Sequence, residues 1–464
     1  DKPEGASPGF LAQARNDIPY DLNAPYVPGE VLVKFRTDVD SAVAGDMAAD
    51  HNCSVEESIN TIRLYRLKIN DQRGVWDVAA EFEAEPNVEY AEPNFIDEPM
   101  EAPAYDQSLP EDVPAIEPSD PMYGDQWHYP LINMPAAWNV ITGGSGVIAA
   151  VVDSGVRFDH PDLGARLSPN GYDFLDNDSD PTDPGSGVPL RSHGTHVAGT
   201  MGAVTNNGTG VSGMTWSGDI LPVRAVGSHF QMAQGFRYAC GLLSSPDPVN
   251  PTPVGVLNYS AGGSHSTTKE QGVKDCNEAG VIMVCAAGNG YCASVIYPAA
   301  YSTTYDKVIA VAATDYNYGA NPKRAPYSSC GPEINVAAPG GNTGADTDSD
   351  GNPDGILSTT WNYVTSSPTY EFWQGTSMAS PHVAGLVALM LEQGANPDSV
   401  RSILQSTAVD LGAPGFDNEF GHGLVDAKAA LGAGSKIAVI ATTTTVDSVD
   451  KALTELGRVF IKFN

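Results

Sequence analysis

The hydrophobic pattern divides the chain into two parts, and the first alternates short strands with helices. Val31–Phe35, Asn60–Asn70 and Val88–Ala91 alternate apolar and polar residues, as half-buried strands do. Residues 41–50 and 75–84 have a helical pattern instead. This order of strand, helix, strand, helix and strand predicts a small α+β domain over residues 26–95, with helices on one face of a sheet.

The second part, residues 121–434, has a different pattern. Short, largely apolar runs recur, and helical stretches at 230–243 and 269–279 lie between some of them. Buried strands that alternate with helices predict an α/β fold whose mainly parallel sheet is covered on both faces. The apolar runs cover residues 146–153, 219–227, 254–260, 280–287, 308–313 and 334–338.

Residues 96–120 separate the two parts and contain eight carboxylates, five prolines and no basic residue. This composition is typical of an extended, solvated linker, so we predict a domain boundary there. Residues 1–25 have the composition of a loose arm. The extension over 435–464 is predicted to hold strands at 436–446 and 458–463 around a helix at 447–456. It either packs onto the second domain or begins a targeting region.

The chain of 464 residues has 57 Asp and Glu against 24 Lys and Arg, a formal net charge of −33. So acidic a surface argues against a nucleic-acid partner, which needs basic patches. No apolar run is long enough for a membrane helix. The N-terminus lacks the basic and then apolar pattern of a signal peptide, so either one was removed or none existed. The acidity suits either simple solubility or a salty medium with bound cations.

Three polar residues occupy positions where catalytic groups are common. Asp153 ends an apolar strand, His193 opens a helix of small residues, and Ser377 begins an apolar helix. Taken singly, Asp153 or Ser377 could be a helix cap. A serine nucleophile needs an adjacent base, however, and the base needs a carboxylate that fixes its tautomer. Asp, His and Ser in this order therefore favour a catalytic triad.

Several motifs around these residues resemble the subtilisin-like serine proteases. The resemblance implies a three-layer subtilisin-like fold and a serine endopeptidase that acts through an acyl-enzyme. Asp153 would be the orienting acid, His193 the general base and Ser377 the nucleophile, while the Asn289 amide and the Ser377 N–H would stabilise the oxyanion. The matching motifs are VVDSGV (151–156), HPDL (160–163), SHGTHVAGT (192–200), NYSAGG (258–263), AAGN (286–289), YPA (297–299), SSCGPEINVAAPG (328–340) and GTSMASPHVAG (375–385).

The same resemblance implies how substrate binds. An extended peptide would add as a strand along residues 260–263, and residues 286–288 with Ile296 would line the pocket for the residue before the scissile bond. None of these positions carries a carboxylate, which favours an apolar or broad preference over a dibasic one. The predicted substrate-binding residues are Ser260, Ala261, Gly262, Gly263, Ala286, Ala287, Gly288 and Ile296.

Calcium is the predicted cofactor, at one to three sites. The first site resembles the family's strong site and comprises Gln126, Asp162, Asn207, Thr209 and Val211. The second is a loop whose carboxylates would repel one another without a cation, and it comprises Asp173, Asp176, Asp178, Asp180 and Asp183. The third resembles the first half of an EF-hand loop without its distal Glu, and it comprises Asp346, Asp348, Asp350, Asn352 and Asp354.

Two further histidines belong to the same motifs as the triad. His196 follows His193 in HxxH spacing, which invites a zinc interpretation, but no Glu stands in HExxH register. The resemblance implies a structural role for His196, and we predict a packed structural role for His382.

Residues 26–95 resemble the inhibitory, ferredoxin-like propeptide of this family, on the motifs VPGEVLVKF and NVEYAEPNF. The resemblance implies a folding helper that then blocks the cleft, in a precursor cut within 96–121. The chain has six cysteines, too few for a disulfide scaffold. In the light of the resemblance we expect the pairs Cys292–Cys330 and Cys240–Cys276, with Cys285 left in a core strand.

These observations predict a secreted, monomeric zymogen that acts on proteins and carries its own inhibitor. An inert binding protein with a permanently occupied cleft is one alternative, and the intact set of Asp153, His193, Asn289 and Ser377 argues against it. A cytoplasmic subtilase is another, against which the folded propeptide, the cysteines and the acidic loops argue.

Overall fold

The computed structural model describes residues 24–99 except 38 and 40, 116–185, 191–316 and 321–434. The arm before residue 24, the middle of the predicted linker and the extension predicted over 435–464 lie outside these ranges. The described residues form two larger sheets, one of four and one of seven strands, and two pairs of strands.

The N-terminal domain is a four-stranded antiparallel sheet with two helices. Its core includes Phe35, Leu67 and Phe82. The strand order is β2-β3-β1-β4, which confirms the predicted α+β class. The elements are β1 Tyr26–Phe35, α1 Ser41–Asp50, β2 Cys53–Ile59, β3 Leu64–Ile69, α2 Val75–Glu83 and β4 Val88–Phe95.

Strand β2 is absent from the sequence prediction, which gave only three strands here. It lies at the edge of the sheet, with Val55 and Glu56 exposed, and its pairing with β3 shifts register between Val55 and Glu57. Edge strands with such irregularities lack the clean alternation that makes a strand recognisable. The strand predicted over 60–70 is also shorter, because it begins with a 3₁₀ turn at Asn60–Ile62.

The second domain is built on a seven-stranded parallel sheet in the order β13-β12-β11-β9-β6-β8-β7. Two helix pairs, α5 with α8 and α6 with α7, pack against it and complete the predicted three-layer fold. The elements that matter for the site are β6 Ala149–Asp153, β7 Tyr172–Asp173, α5 His193–Gly202, β8 Ile220–Arg224, α6 His229–Ala239, β9 Val256–Tyr259, β10 Ala261–Gly262, α7 Thr267–Glu278, β11 Ile282–Ala286, β12 Val308–Thr314, β13 Val336–Pro339 and α8 Thr376–Glu392.

A hairpin that follows β13 and precedes α8 in the chain is a second element that the sequence did not predict. Strands β14, Ile356–Asn362, and β15, Ser367–Trp373, pair antiparallel along their whole length. Most of β15 is only half-buried, so its hydrophobic pattern is weak. The hairpin brings Trp373 onto the His196 ring, where the two rings stack with centroids 4.9 Å apart.

The N-terminal sheet lies on the paired helices α6 and α7. Side chains from β4 reach the first turns of both helices: Glu92 accepts the N–H groups of Thr267 and Thr268 at 2.8 and 2.6 Å, and Asn94 accepts that of Phe230 at 3.3 Å. Helix N-termini present unpaired N–H groups and partial positive charge, so an acceptor from β4 satisfies both.

Not all of the predicted linker is solvated: Ile116, Glu117 and Ser119 are exposed as predicted, but other residues at its described ends are buried. Asp97 and Asp120 are only 3% and 4% exposed. The strand β5, Glu98–Pro99, pairs antiparallel with β10, while Asp120 accepts backbone N–H groups from Asn206 and Asn207. The composition of the segment could not reveal these contacts, because their partners lie more than 80 residues away in the chain.

The two predicted disulfides are confirmed. Cys240 pairs with Cys276, and Cys292 with Cys330, with Cα separations of 5.8 and 4.5 Å. Cys285 is a free, buried cysteine in β11, as expected, and Cys53 is also free and buried.

Candidate active site

Asp153 and His193 meet where β6 ends and α5 begins. His193 Nδ1 lies 2.7 Å from Asp153 Oδ1, and both side chains are buried. Gly194 permits this approach, because a Cβ there would lie 3.0 Å from the Asp153 Cβ and 2.4 Å from the Gly155 carbonyl oxygen. With Nδ1–H donated to the carboxylate, the neutral ring presents an acceptor at Nε2. That Nε2 has no hydrogen-bond partner among the described residues.

Ser377 lies in the first turn of α8, the helix that packs against α5. Its hydroxyl donates to the Ser260 carbonyl oxygen at 2.9 Å rather than to His193. Ser260 Oγ in turn donates to the Ser377 carbonyl at 2.9 Å and contacts Ser380 Oγ at 2.8 Å. The nucleophile predicted from the sequence is therefore tied to the segment predicted to bind substrate.

Asn289 follows β11 and is held beside the start of α8. Its Oδ1 accepts both the N–H and the hydroxyl of Thr376, at 3.0 and 2.9 Å. Because both bonds use the amide oxygen, the amide nitrogen is oriented as the donor. The structure thus places Asn289 next to the residue that precedes Ser377.

The other two motif histidines are buried and neutral. His196 Nε2 contacts the Ile356 and Glu371 carbonyls at 2.9 and 3.2 Å, and burial lowers its pKa to about 3. His382 bonds the Met378 carbonyl, and burial lowers its pKa to about 4. These carbonyls occupy Nε2, and no cluster of potential metal ligands among the described residues includes His196.

The segment predicted to bind substrate pairs with the tail that follows the N-terminal domain, residues 97–99. Ala261 pairs with Pro99 and Gly262 with Glu98, antiparallel. On the other side of the tail, the Asp97 N–H donates to the Gly227 carbonyl at 2.9 Å. The tail therefore runs as a middle strand between two segments of the second domain, in the position expected of a substrate.

The predicted pocket residues converge on Ile296. A Cβ on Gly262 would lie 2.5 Å from Ile296 Cδ1, and one on Gly288 would lie 3.2 Å from Ile296 Cγ2. Ile296 also donates its N–H to the Ala287 carbonyl at 3.0 Å. The structure therefore brings the 261–263, 286–288 and 296 segments together around an apolar side chain.

At the first predicted calcium site, the structure gathers some of the predicted residues and adds one. Asp162 accepts Asn207 Nδ2 at 2.6 Å and the Val211 N–H at 2.9 Å. Asp120, which the sequence analysis left in the linker, accepts the Asn207 N–H at 3.0 Å. Burial, with a smaller contribution from the nearby Asp120, raises the pKa of Asp162 to about 6. Neither carboxylate forms an ion pair within the described ranges.

Gln126, a predicted ligand of this site, serves other contacts, whereas Thr209 is held here through its N–H and not through the carbonyl oxygen that a calcium ion would use. Gln126 uses its amide oxygen for the Ser212 N–H and its amide nitrogen for the Ser212 and Leu357 carbonyls. Thr209 donates its N–H to Asn207 Oδ1 at 2.7 Å. The buried Gln126 therefore fastens two loops, and Asp120 is a better candidate ligand.

The second predicted site has its own cation, which corrects the sequence argument. Arg224, at the end of β8, forms ion pairs with both Asp173 and Asp176. Asp183 instead accepts the N–H groups of Gly185 and Ser192, at 2.8 and 2.6 Å. Asp178 and Asp180 accept N–H groups from residues two positions ahead in the chain. The five carboxylates are dispersed rather than gathered.

At the third predicted site, three of the five residues come together. Carboxylate oxygens of Asp346, Asp348 and Asp350 all lie within 4.8 Å of one another. Asn352 contacts Asp350 and reaches Asp125, a carboxylate that the sequence analysis did not consider. Asp354 turns away, because both of its oxygens accept the Thr347 N–H. Three converging carboxylates suit a hard cation such as calcium.

The family of this chain follows from its comparison with known proteins. The Subtilase family matches residues 144–423, and the Fervidolysin N-terminal prodomain matches residues 13–94. The chain therefore belongs to the subtilase family. It is a subtilisin-like serine protease that carries a prodomain, as the motifs predicted.

Named relatives support this assignment. The chain is 34% identical over 411 residues to the thermophilic serine proteinase of Bacillus sp. (strain AK1), covering 86% of each chain. It is 33% identical over 359 residues to the halolysin-like extracellular serine protease Nep of Natrialba magadii, with 75% of this chain covered and 56% of that protein. Fervidolysin from Fervidobacterium pennivorans, described as a keratinolytic enzyme related to subtilisin, superposes with a TM-score of 0.73 at 26% identity. That match covers 89% of this chain and 62% of the fervidolysin chain.

Within the described ranges, no helix has the length and apolar character needed to cross a membrane.

Proposed function

We propose that this chain is the zymogen of a secreted, calcium-stabilised endopeptidase that cuts its own linker and hydrolyses peptides through an acyl-enzyme. Ser377 is the nucleophile, His193 the general base and Asp153 the group that orients His193. The observation that carries this proposal is the buried Asp153–His193 pair at 2.7 Å, whose second ring nitrogen has no hydrogen-bond partner among the described residues. Extracellular names among the relatives and the two disulfides support export.

Substrate binding supplies the missing contact between nucleophile and base. The Ser260 carbonyl, which accepts the Ser377 hydroxyl, directly precedes the strand β10. A substrate that continues one residue beyond the position that Pro99 occupies opposite Ala261 presents a further N–H to that carbonyl and competes with the hydroxyl for it. Once displaced, the hydroxyl donates to His193 Nε2, which takes its proton as the oxygen attacks the peptide carbonyl.

The charge that develops on the substrate oxygen is stabilised by the Asn289 amide and the Ser377 N–H. The side chain before the scissile bond enters the pocket around Ile296. Because glycines face Ile296 from two sides and no carboxylate lies among these residues, the pocket favours apolar side chains. His193 then returns its proton to the leaving amine, and water releases the acyl group.

Self-processing is tested with the intact chain beside its Ser377→Ala variant. Both are incubated with calcium and followed by gel, N-terminal sequencing of the fragments and hydrolysis of a chromogenic peptide. We expect the wild type to cut its linker and gain activity while the variant stays whole and silent. A wild-type chain that remains intact and inactive would support an inert binding protein. A variant cut as fast as the wild type would contradict self-processing.

Calcium is proposed at two of the three predicted places. Asp120 and Asp162 with Asn207 would hold one ion, and Asp346, Asp348 and Asp350 a second, where the ion offsets repulsion between buried or crowded carboxylates. Chelation should lower the melting temperature of the Ser377→Ala chain by several degrees, since only the folded state binds the ion. Asp348→Asn should remove part of this shift, and the Arg224-neutralised Asp176→Asn should leave it intact. An unchanged melt on chelation would contradict both sites.

A further inference from the structure

A buried cluster of donors surrounds Asp97, the first residue of the tail beyond Ile96. Its Oδ1 accepts Lys269 Nζ and His229 Nε2, the latter at 3.0 Å, and its Oδ2 accepts the Tyr259 hydroxyl at 2.8 Å. The Asp97, Lys269 and His229 side chains are fully shielded from solvent. Both carboxylate oxygens are thus satisfied by the second domain alone.

The cluster is ionic rather than neutral. Burial by itself would raise the pKa of Asp97, but the Lys269 charge and the hydrogen bonds from Lys269 and His229 lower it to about 2. Burial, followed by the Lys269 charge, lowers the pKa of His229 to about 4, so this ring is a neutral donor at Nε2. Its Nδ1 contacts Ser266 Oγ at 2.7 Å, which fixes that tautomer. Lys269 is therefore the one cation that faces the Asp97 carboxylate.

The donors belong to the cleft, not merely to the contact between the domains. The residue after Asp97 pairs with Gly262 of β10, and Asp97 donates its own N–H to Gly227. A Cβ on Gly263 would lie 2.9 Å from Asp97 Oδ1, so the glycine makes room for this side chain. Any peptide that adds to β10 in the same register places a side chain among Lys269, His229 and Tyr259.

Lys269 keeps two other contacts when the tail departs. Its ammonium group donates to the Ser264 and Tyr297 carbonyls, at 3.0 and 3.3 Å. These neutral acceptors hold the group in place but do not compensate its charge. A neutral side chain bound at this position would bury the cation without an anion, which is unfavourable, so the position is selective for an acid.

On the basis of the proposed protease function, we infer that Lys269, His229 and Tyr259 form an acid-selective substrate subsite. It takes an aspartate side chain two residues before the substrate residue that pairs with Ala261. Glutamate fits less well, because the three donors enclose a carboxylate on a side chain one methylene shorter. In the precursor, the side chain of Asp97 occupies this subsite.

Three synthetic peptides that span residues 92–106 test this inference on the activated wild-type enzyme. One has the natural sequence, and the others carry Asp97→Asn or Asp97→Leu. Asn has the same shape as Asp without its charge. We expect kcat/KM for the natural peptide to exceed both by roughly 10- to 100-fold, the range for losing a buried hydrogen bond to a charged group. Equal rates for the three peptides would overturn the subsite, whereas no cleavage of any peptide would overturn the proposed protease function instead.

Variants identify the residue responsible. Lys269→Met should bring the rates for the natural and Asp97→Asn peptides close together, while Lys274→Met, at an exposed position of the same helix, should preserve the wild-type ratio. Because Lys269→Met leaves Asp97 buried without a counter-charge in the precursor, the enzyme is also prepared from Asp97→Asn/Lys269→Met, which removes both partners. A wild-type preference that survives loss of Lys269 would contradict its assignment.

Discussion

Two buried aspartate–histidine pairs lie in this molecule, and they are built for opposite purposes. In the Asp153–His193 pair one ring nitrogen binds the carboxylate at 2.7 Å and the other has no partner among the described residues. In the Asp97–His229 pair the carboxylate is at 3.0 Å and the second nitrogen is held by Ser266. A histidine with an open nitrogen can accept a proton from a neighbour. A histidine bonded at both nitrogens can only hold a ligand.

The largest contrast between the pairs should come from removing the carboxylate charge. Asp153→Asn should lower kcat by about 10⁴, because the His193 tautomer and its charged form lose their support. The matched Asp97→Asn should leave kcat of the activated enzyme unchanged, since Asp97 leaves with the propeptide. Steady-state kinetics on one chromogenic peptide measure both. Similar losses in the two variants would show that the pairs do not differ in role.

The next largest effect concerns the oxyanion rather than the base. Asn289→Ala should lower kcat by about 10²–10³ with little change in KM, because its amide acts only on the charge that develops in the transition state. Thr376→Val, which removes the hydroxyl that binds the Asn289 amide oxygen, should cause a smaller loss of kcat. A rise in KM equal to the loss of kcat would indicate that Asn289 only supports the structure.

A smaller effect is expected from Asp97→Asn in the precursor. Without the Lys269 ion pair, the cut propeptide should leave the cleft sooner, so the interval between linker cleavage and full activity should shorten by about tenfold. Gel and activity time courses on one sample measure that interval. An interval equal to that of the wild type would mean that the rest of the interface alone retains the propeptide.

The smallest effect lies in the pH dependence of stability. His229 is neutral when folded, with a pKa of about 4, and is protonated near its ordinary pKa of 6.5 when unfolded. The unfolded state therefore binds more protons between about pH 6.5 and 4, and stability falls as the pH falls through that range. In a Ser377→Ala background, His229→Gln should flatten this decline by at most one proton, about 1.4 kcal/mol per pH unit. If the melting temperatures of the two proteins changed equally with pH, the result would contradict a buried, neutral His229 ring.

The sequence predicted the parts of the molecule that local pattern encodes. The parallel strands are largely apolar, and the motifs around Asp153, His193 and Ser377 lie at strand or helix ends, so both were recognisable. Strand β15 of the hairpin and the edge strand β2 were not, because partly exposed strands keep no clean alternation. Strand β14 is buried, but Ser358, Thr359 and Thr360 interrupt its apolar pattern.

Contacts between distant residues account for most of what the sequence could not predict. Arg224 neutralises Asp173 from 51 residues away, and Lys269 binds Asp97 from 172 residues away. A count of carboxylates in one loop cannot show which cation a neighbouring strand supplies. Likewise, Asp120 was assigned to a solvated linker because nothing in its local sequence indicates that Asn206 and Asn207 bury it.

The helices α6 and α7 are held together at both ends, at one end by hydrogen bonds from the propeptide and at the other by a disulfide. At the N-terminal ends, Glu92 and Asn94 of the propeptide hold the two first turns, and at the other end Cys240 joins Cys276. On the proposed processing, departure of the propeptide would remove the Glu92 and Asn94 hydrogen bonds and leave the disulfide. The disulfide would then keep the spacing of the two helices after the propeptide has left. A separate inhibitor of the same shape would therefore bind a surface that is already arranged, with little loss of conformational entropy.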